Sequence, residues 1–316
     1  MHSLLMAANH ANPAGTASTA EPAVTIQQQD GFILGTFDAM ASPCEILIET
    51  DNKQLARQLT QLACNEAKRI EYKYSRYRAD SVISAINSSH GEPRAIDDET
   101  WRLLSFANTC YQLSEGMFDI SSGVLGKAWH FDGSDRLPSQ SDIDALLTLI
   151  GWQRVELTAE YVTLPAGMQL DVGGIGKEYA VDRVAALVSE QAPEVSVVVN
   201  FGGDIQVTRR RINDQPWYIG IENPLKAEQG ETLVKIFQGG LATSGDARRY
   251  LLHEGKRYSH ILNPKTGFPV EEPPRSVTVA ADSCTQAGLL ATLAMLQGKG
   301  AEDFLASQGL THWVYR

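Results

Sequence analysis

The sequence has no apolar run long enough to span a bilayer, so a membrane-spanning helix is not expected. It has no Cys-x-x-Cys pair: Cys44, Cys64, Cys110 and Cys284 stand far apart, with no His at ligand spacing. That argues against a structural zinc site and a disulfide scaffold, and leaves the cysteines as small buried hydrophobes. Positive charge is scarce. With 27 Lys and Arg against 38 Asp and Glu, the formal net charge is -11 and the pI about 5.1. Such a surface repels phosphodiester backbones and argues against general nucleic-acid binding, while leaving room for one local anion pocket. The Gly-x-Gly-x-x-Gly fingerprint is missing, so a dinucleotide bound here is not held in the Rossmann manner. The opening residues, MHSLLMAANHANPAGTASTAEPA, lack both a basic segment ahead of their short apolar patch and a cysteine for lipid attachment. As written, the chain is expected to be soluble and cytoplasmic.

What is present is ordinary for a globular protein: 43% apolar and 21% charged residues, in a chain of 316 that is ample for a buried core. Residues 1–30, rich in Ala, Asn, Pro, Thr and Gln, read as a flexible leader, and 31–316 as a single domain. Apolar alternation predicts strands over 32–37 and 44–49, and helical spacing predicts helices over 54–73 and 100–113. Short strands are expected at 155–157, 161–164 and 168–172, then a helix over 176–190. Val195 to Asn200 is a continuous apolar run suited to a buried strand. Further strands are expected at 217–222, 232–237, 258–262 and 276–281, with a helix over 284–297. This order predicts an α+β fold with antiparallel sheets flanked by helices, not a βαβ series.

Four segments carry chemistry. In Leu170-Asp171-Val172-Gly173-Gly174-Ile175-Gly176-Lys177, a glycine turn leads into a helix whose N-terminus offers N–H groups and a positive dipole end to an anion. A lysine in that first turn is explained by an anion nearby, or equally by a tight turn with a solvent-facing side chain. Val198 to Ile205 ends an apolar strand in Gly-Gly-Asp, where backbone approaches something closely or simply turns. His260 closes the strand before an Asn-Pro-Lys-Thr-Gly turn and has a pKa suited to a general base, although a lone histidine is more often structural. Gly288 and Thr292 share one face of the last long helix, where the threonine can offer its hydroxyl to a cation or back-bond to the preceding turn.

In this order and spacing, with Met40-Ala41-Ser42, Tyr74-Ser75-Arg76-Tyr77 and Gly116-Met117-Phe118-Asp119-Ile120-Ser121, these segments resemble the ApbE family of flavin transferases from about Phe37 onward. The resemblance implies that FAD lies against Met40, Tyr77, an Asp119-Ile120-Ser121 strand, Asp171, Lys177 and Ile261, with Tyr77 stacking on a ring. It implies Mg2+ held by the carbonyl of Gly174 and by an Asp and a Thr on the last helix, at positions 288 and 292. It implies that His260 accepts the proton of an incoming hydroxyl. The activity implied is transfer of FMN from FAD to a Thr or Ser hydroxyl of an acceptor redox flavoprotein, with release of AMP. The acceptor is expected to carry an Asp-Gly-x-Ser/Thr-Gly-Ala-Ser/Thr type of segment, which this chain lacks. Many relatives are exported lipoproteins.

Two positions depart from the pattern. Gly288 stands where the resemblance expects the metal-binding Asp, so a hard cation would lack its principal side-chain ligand. Asp282, Asp246 or Asp204 would then have to substitute, or phosphates and water hold the ion; otherwise the chain binds FAD as a carrier, or hydrolyses it to FMN and AMP. Ala41 stands where glycine is usual.

Overall fold

The apolar segments flanking Met40-Ala41 pair as a tight hairpin, β2 (Phe32–Ala39) with β3 (Ser42–Ile48), in the computed structural model. The structure describes residues 5–6, 24–131, 135–224, 232–246 and 250–316; the rest of the leader lies outside them. Residues Thr25–Gln29, assigned by composition to the leader, form an edge strand, β1, on β2. From there the sheet runs in chain order through β4 (Val197–Phe201), β5 (Asp204–Val207), β6 (Gly239–Gly245), β7 (Ser276–Ala281) and β8 (His312–Tyr315). It has eight strands, each antiparallel to its neighbours.

Both faces of this sheet are covered, which is why its central strands read as unbroken apolar runs. Val197, Val199 and Phe201 of β4 face a helical layer, while Val198 faces the opposite side with Leu47, Ile205 and Trp217. The helical layer is α1 (Lys53–Tyr74), α5 (Gly176–Gln191) and α6 (Cys284–Leu296). Between α1 and α5 the chain adds α2 (Val82–Asn87), α3 (Asp98–Leu113) and α4 (Gln140–Leu147); α7 (Ala301–Gln308) follows α6. The far face is closed by a hairpin of Trp217–Ile221 and Thr232–Ile236. All four cysteines are buried. Among the described residues, no helix is long and apolar enough to cross a membrane.

Helix α1 packs on the sheet through Ala56, Leu59, Ala63, Cys64, Ala67 and Ile70, all buried, whereas Leu55 and Leu62 are only partly so. The approach is closest at Gly35, where a Cβ would lie 2.0 Å from the Thr60 hydroxyl. The expected strand at 168–172 is absent. Met168, Leu170 and Val172 are buried, but this backbone is held by other groups than a ladder. Leu170 exchanges hydrogen bonds with the Asn87 amide, and Asp171 N–H donates to the Ile120 carbonyl.

Candidate active site

One end of the sheet gathers the turns that the sequence singles out. Met40 and Ala41 form the β2–β3 turn with φ of 54° and 57°, the left-handed geometry of a type I′ hairpin. Beside it, Gly202 N–H donates to the Pro43 carbonyl, which seats the Gly202-Gly203 turn and brings Asp204 to the same end. The antiparallel register of β5, β6 and β7 adds Ser244 and Asp246 there.

The start of α5 is held over this end by charge. Lys177 Nζ lies 2.8 Å from the buried Asp204 carboxylate. Burial alone would lower its pKa, but the negative charges of Asp204 and Glu178 together outweigh that and keep it above the usual lysine value. The N-cap of α5, Ile175, contributes no side-chain hydrogen bond to the helix end, and Gly176 N–H donates to the Val172 carbonyl. Asp171 shapes the preceding turn: it accepts from Gly173 N–H at 2.8 Å and from Arg76 Nη1 at 2.9 Å. Arg76 also donates to the Gly123 carbonyl, and a Cβ at Gly123 would come within 2.5 Å of Asp171 Cβ. Tyr77, next to Arg76, is 85% exposed.

Asp119, Ile120 and Ser121 are not a strand. Asp119 caps a 3-10 helix, Ile120–Lys127, and its carboxylate accepts from Ser121 N–H, Ser121 Oγ and Trp152 N–H. Ser121 Oγ in turn accepts from Gly151 N–H. Both side chains are buried and fix the loop beneath Asp171. Trp129, just beyond that helix, donates to the Gly267 carbonyl and packs with Phe131, Tyr258 and Phe268. Phe131 meets the half-buried His260 edge to face at 6.2 Å. Ile261, partly buried, accepts from Val270 N–H through its carbonyl. The hairpin leading to His260, Tyr250–His253 with Lys256–Ser259, is tied back by Arg257, which donates to the carbonyl and carboxylate of Asp246.

Helix α6 closes the arrangement. Asp182 on α5 accepts from Cys284 and Thr285 N–H at 3.0 and 2.8 Å, locking α6 against α5. Along α6, Thr292 Oγ1 lies 2.9 Å from Ser244 Oγ. One turn earlier, Gly288 faces Glu178. Direct contacts link Arg76 to Asp171, Asp171 to Ile120, Lys177 to Asp204, Thr292 to Ser244, Asp246 to Arg257, and Trp129 through Phe131 to His260.

The ApbE family model matches residues 40–313. The chain belongs to the ApbE family. It is 32% identical over 257 residues to the FAD:protein FMN transferase of Vibrio cholerae serotype O1, covering 79% of this chain and 75% of that one. It is 30% identical over 275 residues to that of Klebsiella pneumoniae, covering 85% and 83%. Among solved structures, the ApbE protein of Thermotoga maritima superposes with a TM-score of 0.80 at 29% identity, covering 90% of this chain and 94% of that one. The flavinyl transferase ApbE of Pseudomonas stutzeri, in its apo form, gives 0.79 at 26%, covering 94% and 92%.

In this ApbE chain Asp171, Lys177 and Thr292 take part in these contacts directly, and His260 meets Phe131 with Ile261 next to it. Gly174 lies in the turn that leads into α5, Met40 lies in the β2–β3 turn, and Tyr77 is exposed beside Arg76. The acids offered as replacements at the metal position are committed elsewhere. Asp204 pairs with Lys177, Asp246 with Arg257 and Arg275, and Asp282 precedes the opposite end of α6 from Thr292. The carboxylate missed by sequence reasoning is Glu178. It is 8% exposed, its Oε2 has no hydrogen-bond partner, and burial, then the charge of Asp204, raises its pKa to about 8. No sequence signal marks it, because its role depends on α6 crossing α5. Among the described residues no three His, Cys, Asp or Glu side chains form a ready metal cluster. A cation here would therefore rest on one carboxylate with hydroxyls, carbonyls and phosphates, the oxygen set typical of Mg2+.

Proposed function

We propose that this chain is a Mg2+-dependent FAD:protein FMN transferase acting on a Thr or Ser hydroxyl of a redox flavoprotein. The observation that supports this best is the linked set of contacts, which draws a helix start, a lysine, a histidine and hydroxyls from distant segments toward one end of the sheet. FAD is the substrate. Lys177 and the positive dipole end of α5 bind and orient its pyrophosphate. Tyr77 offers its exposed ring for stacking. Mg2+ supplies charge neutralisation at the pyrophosphate when it is bound. His260 takes the proton from the acceptor hydroxyl; the oxygen–phosphorus bond to FMN forms as the bond to AMP breaks, and AMP leaves with the released charge.

The test is a mass measurement. Full-length protein, FAD, Mg2+ and an acceptor domain bearing the Asp-Gly-x-Ser/Thr-Gly-Ala-Ser/Thr type of segment are incubated together, and the acceptor is weighed intact. An increase of one FMN is expected. FMN and AMP with unmodified acceptor would identify an FAD hydrolase, and unchanged FAD a carrier.

A further inference from the structure

Gly288 looks, in isolation, like a lost ligand. Its surroundings say otherwise. A Cβ placed on Gly288 would lie 2.5 Å from Glu178 Cγ, 2.8 Å from Oε1 and 3.0 Å from Cδ. The Glu178 carboxylate thus fills the volume that a side chain at 288 would need, and glycine is what allows it to be there. This carboxylate is more than nine-tenths buried, with Oε2 lacking a hydrogen-bond partner. A buried carboxyl oxygen without a hydrogen-bond partner is costly, and a bound cation gives it one. Thr292, one turn along α6 from Gly288, lies 2.9 Å from Ser244 Oγ, and Gly174 lies in the turn that leads into α5, four residues before Glu178.

We infer that Glu178 supplies the divalent cation's carboxylate from the α5 side of the junction, taking the place that a residue-288 carboxylate would fill from the α6 side. The hydroxyl of Thr292 and the carbonyl of Gly174 complete the protein's share. The inference rests on the Mg2+-dependent reading above, and it turns the Gly288 departure from a defect into half of a paired exchange.

Binding of Mn2+, used as the spectroscopic stand-in for Mg2+, is measured by electron paramagnetic resonance on the full chain with FAD present. FAD affinity is followed separately by flavin fluorescence. In Glu178→Gln, Mn2+ affinity is expected to fall at least about tenfold, while FAD binding is retained and the Mn2+-induced rise in melting temperature disappears. Gly288→Asp alone is expected to lose stability, since the new side chain meets Glu178. The double variant Glu178→Gly/Gly288→Asp is expected to regain Mn2+ binding and thermal stability together. Unchanged Mn2+ affinity in Glu178→Gln overturns the inference, as does a folded double variant that binds no Mn2+. Should the wild-type chain transfer FMN yet bind no Mn2+, the metal-dependent reading itself fails, an outcome distinguished by the wild type alone.

Discussion

Ala41 occupies a left-handed backbone position, φ 57°, where its methyl group is strained and glycine is not. Left-handed geometry costs an L-residue roughly 1–2 kcal/mol, part of which glycine returns as extra freedom in the unfolded chain. Ala41→Gly is therefore expected to stabilise the protein by about 0.5–1 kcal/mol, read as a higher midpoint in denaturant with an unchanged slope. A lower midpoint would show that the methyl group makes contacts that outweigh the strain. His260 is the other residue whose effect is local. In the proposed mechanism its removal deletes the base and leaves the start of α5 intact. His260→Ala is expected to slow FMN transfer by about 10²–10⁴-fold with little change in FAD affinity. Transfer at the wild-type rate would remove histidine from the mechanism. Both residues are visible in the sequence, His260 as a candidate base and Ala41 as an oddity in a turn. The strain at Ala41 is not, because φ is set by the register of β2 against β3.

Helices α1, α3 and α5 are joined by a carboxylate. Glu99 on α3 accepts from Arg69 and Lys73 of α1 and from the Tyr179 hydroxyl of α5. Its hydrogen bonds with Arg69, ahead of those with Lys73 and Tyr179, depress its pKa from 4.5 to about 2. A carboxylate depressed in the folded state stabilises fully above its unfolded pKa, and that contribution is lost as pH falls through the folded value. Stability should thus decline between about pH 4.5 and 2. Glu99→Gln is expected to be less stable at neutral pH and to lose less on acidification, checked by melting temperature across that range. The 3-10 helix gives a second element-level prediction. Gly123→Ala places a methyl group 2.5 Å from Asp171 Cβ, so it should displace Asp171 and the glycine turn it shapes. Weakened FAD binding, titrated by flavin fluorescence, is the expected result. Element boundaries were largely legible: α1, α5 and α6 begin and end within a residue or so of where apolar spacing puts them. The strand expected at 168–172 is absent because apolar letters record burial and not ladder pairing, and the Asp119–Ser121 strand implied by the resemblance is the start of a 3-10 helix. There the backbone is satisfied by the Asn87 amide, the Ile120 carbonyl and the Asp119 carboxylate.

At the scale of the whole molecule, the site exists because α5 and α6 lie side by side across β5 and β6. Asp182 is the clasp between them, capping the α6 amides from its neighbour. Asp182→Ala is expected to cost about 1–2 kcal/mol and to lower FMN transfer, because Glu178 and Thr292 would lose their alignment; an unaltered transfer rate would assign the alignment to core packing instead. The sequence by itself determined the α+β class, the glycine turns, the helix that begins at Gly176 and the histidine at a strand end, for these are written in local periodicity and turn chemistry. It also displayed Gly288 as a departure. What only the tertiary structure decided is what that glycine means. The space beside Gly288 is defined by a helix more than a hundred residues earlier in the chain, and local patterns carry no information about which side chain fills it. Packing α6 against α5 puts the Glu178 carboxylate there, and glycine at 288 is the steric condition for it.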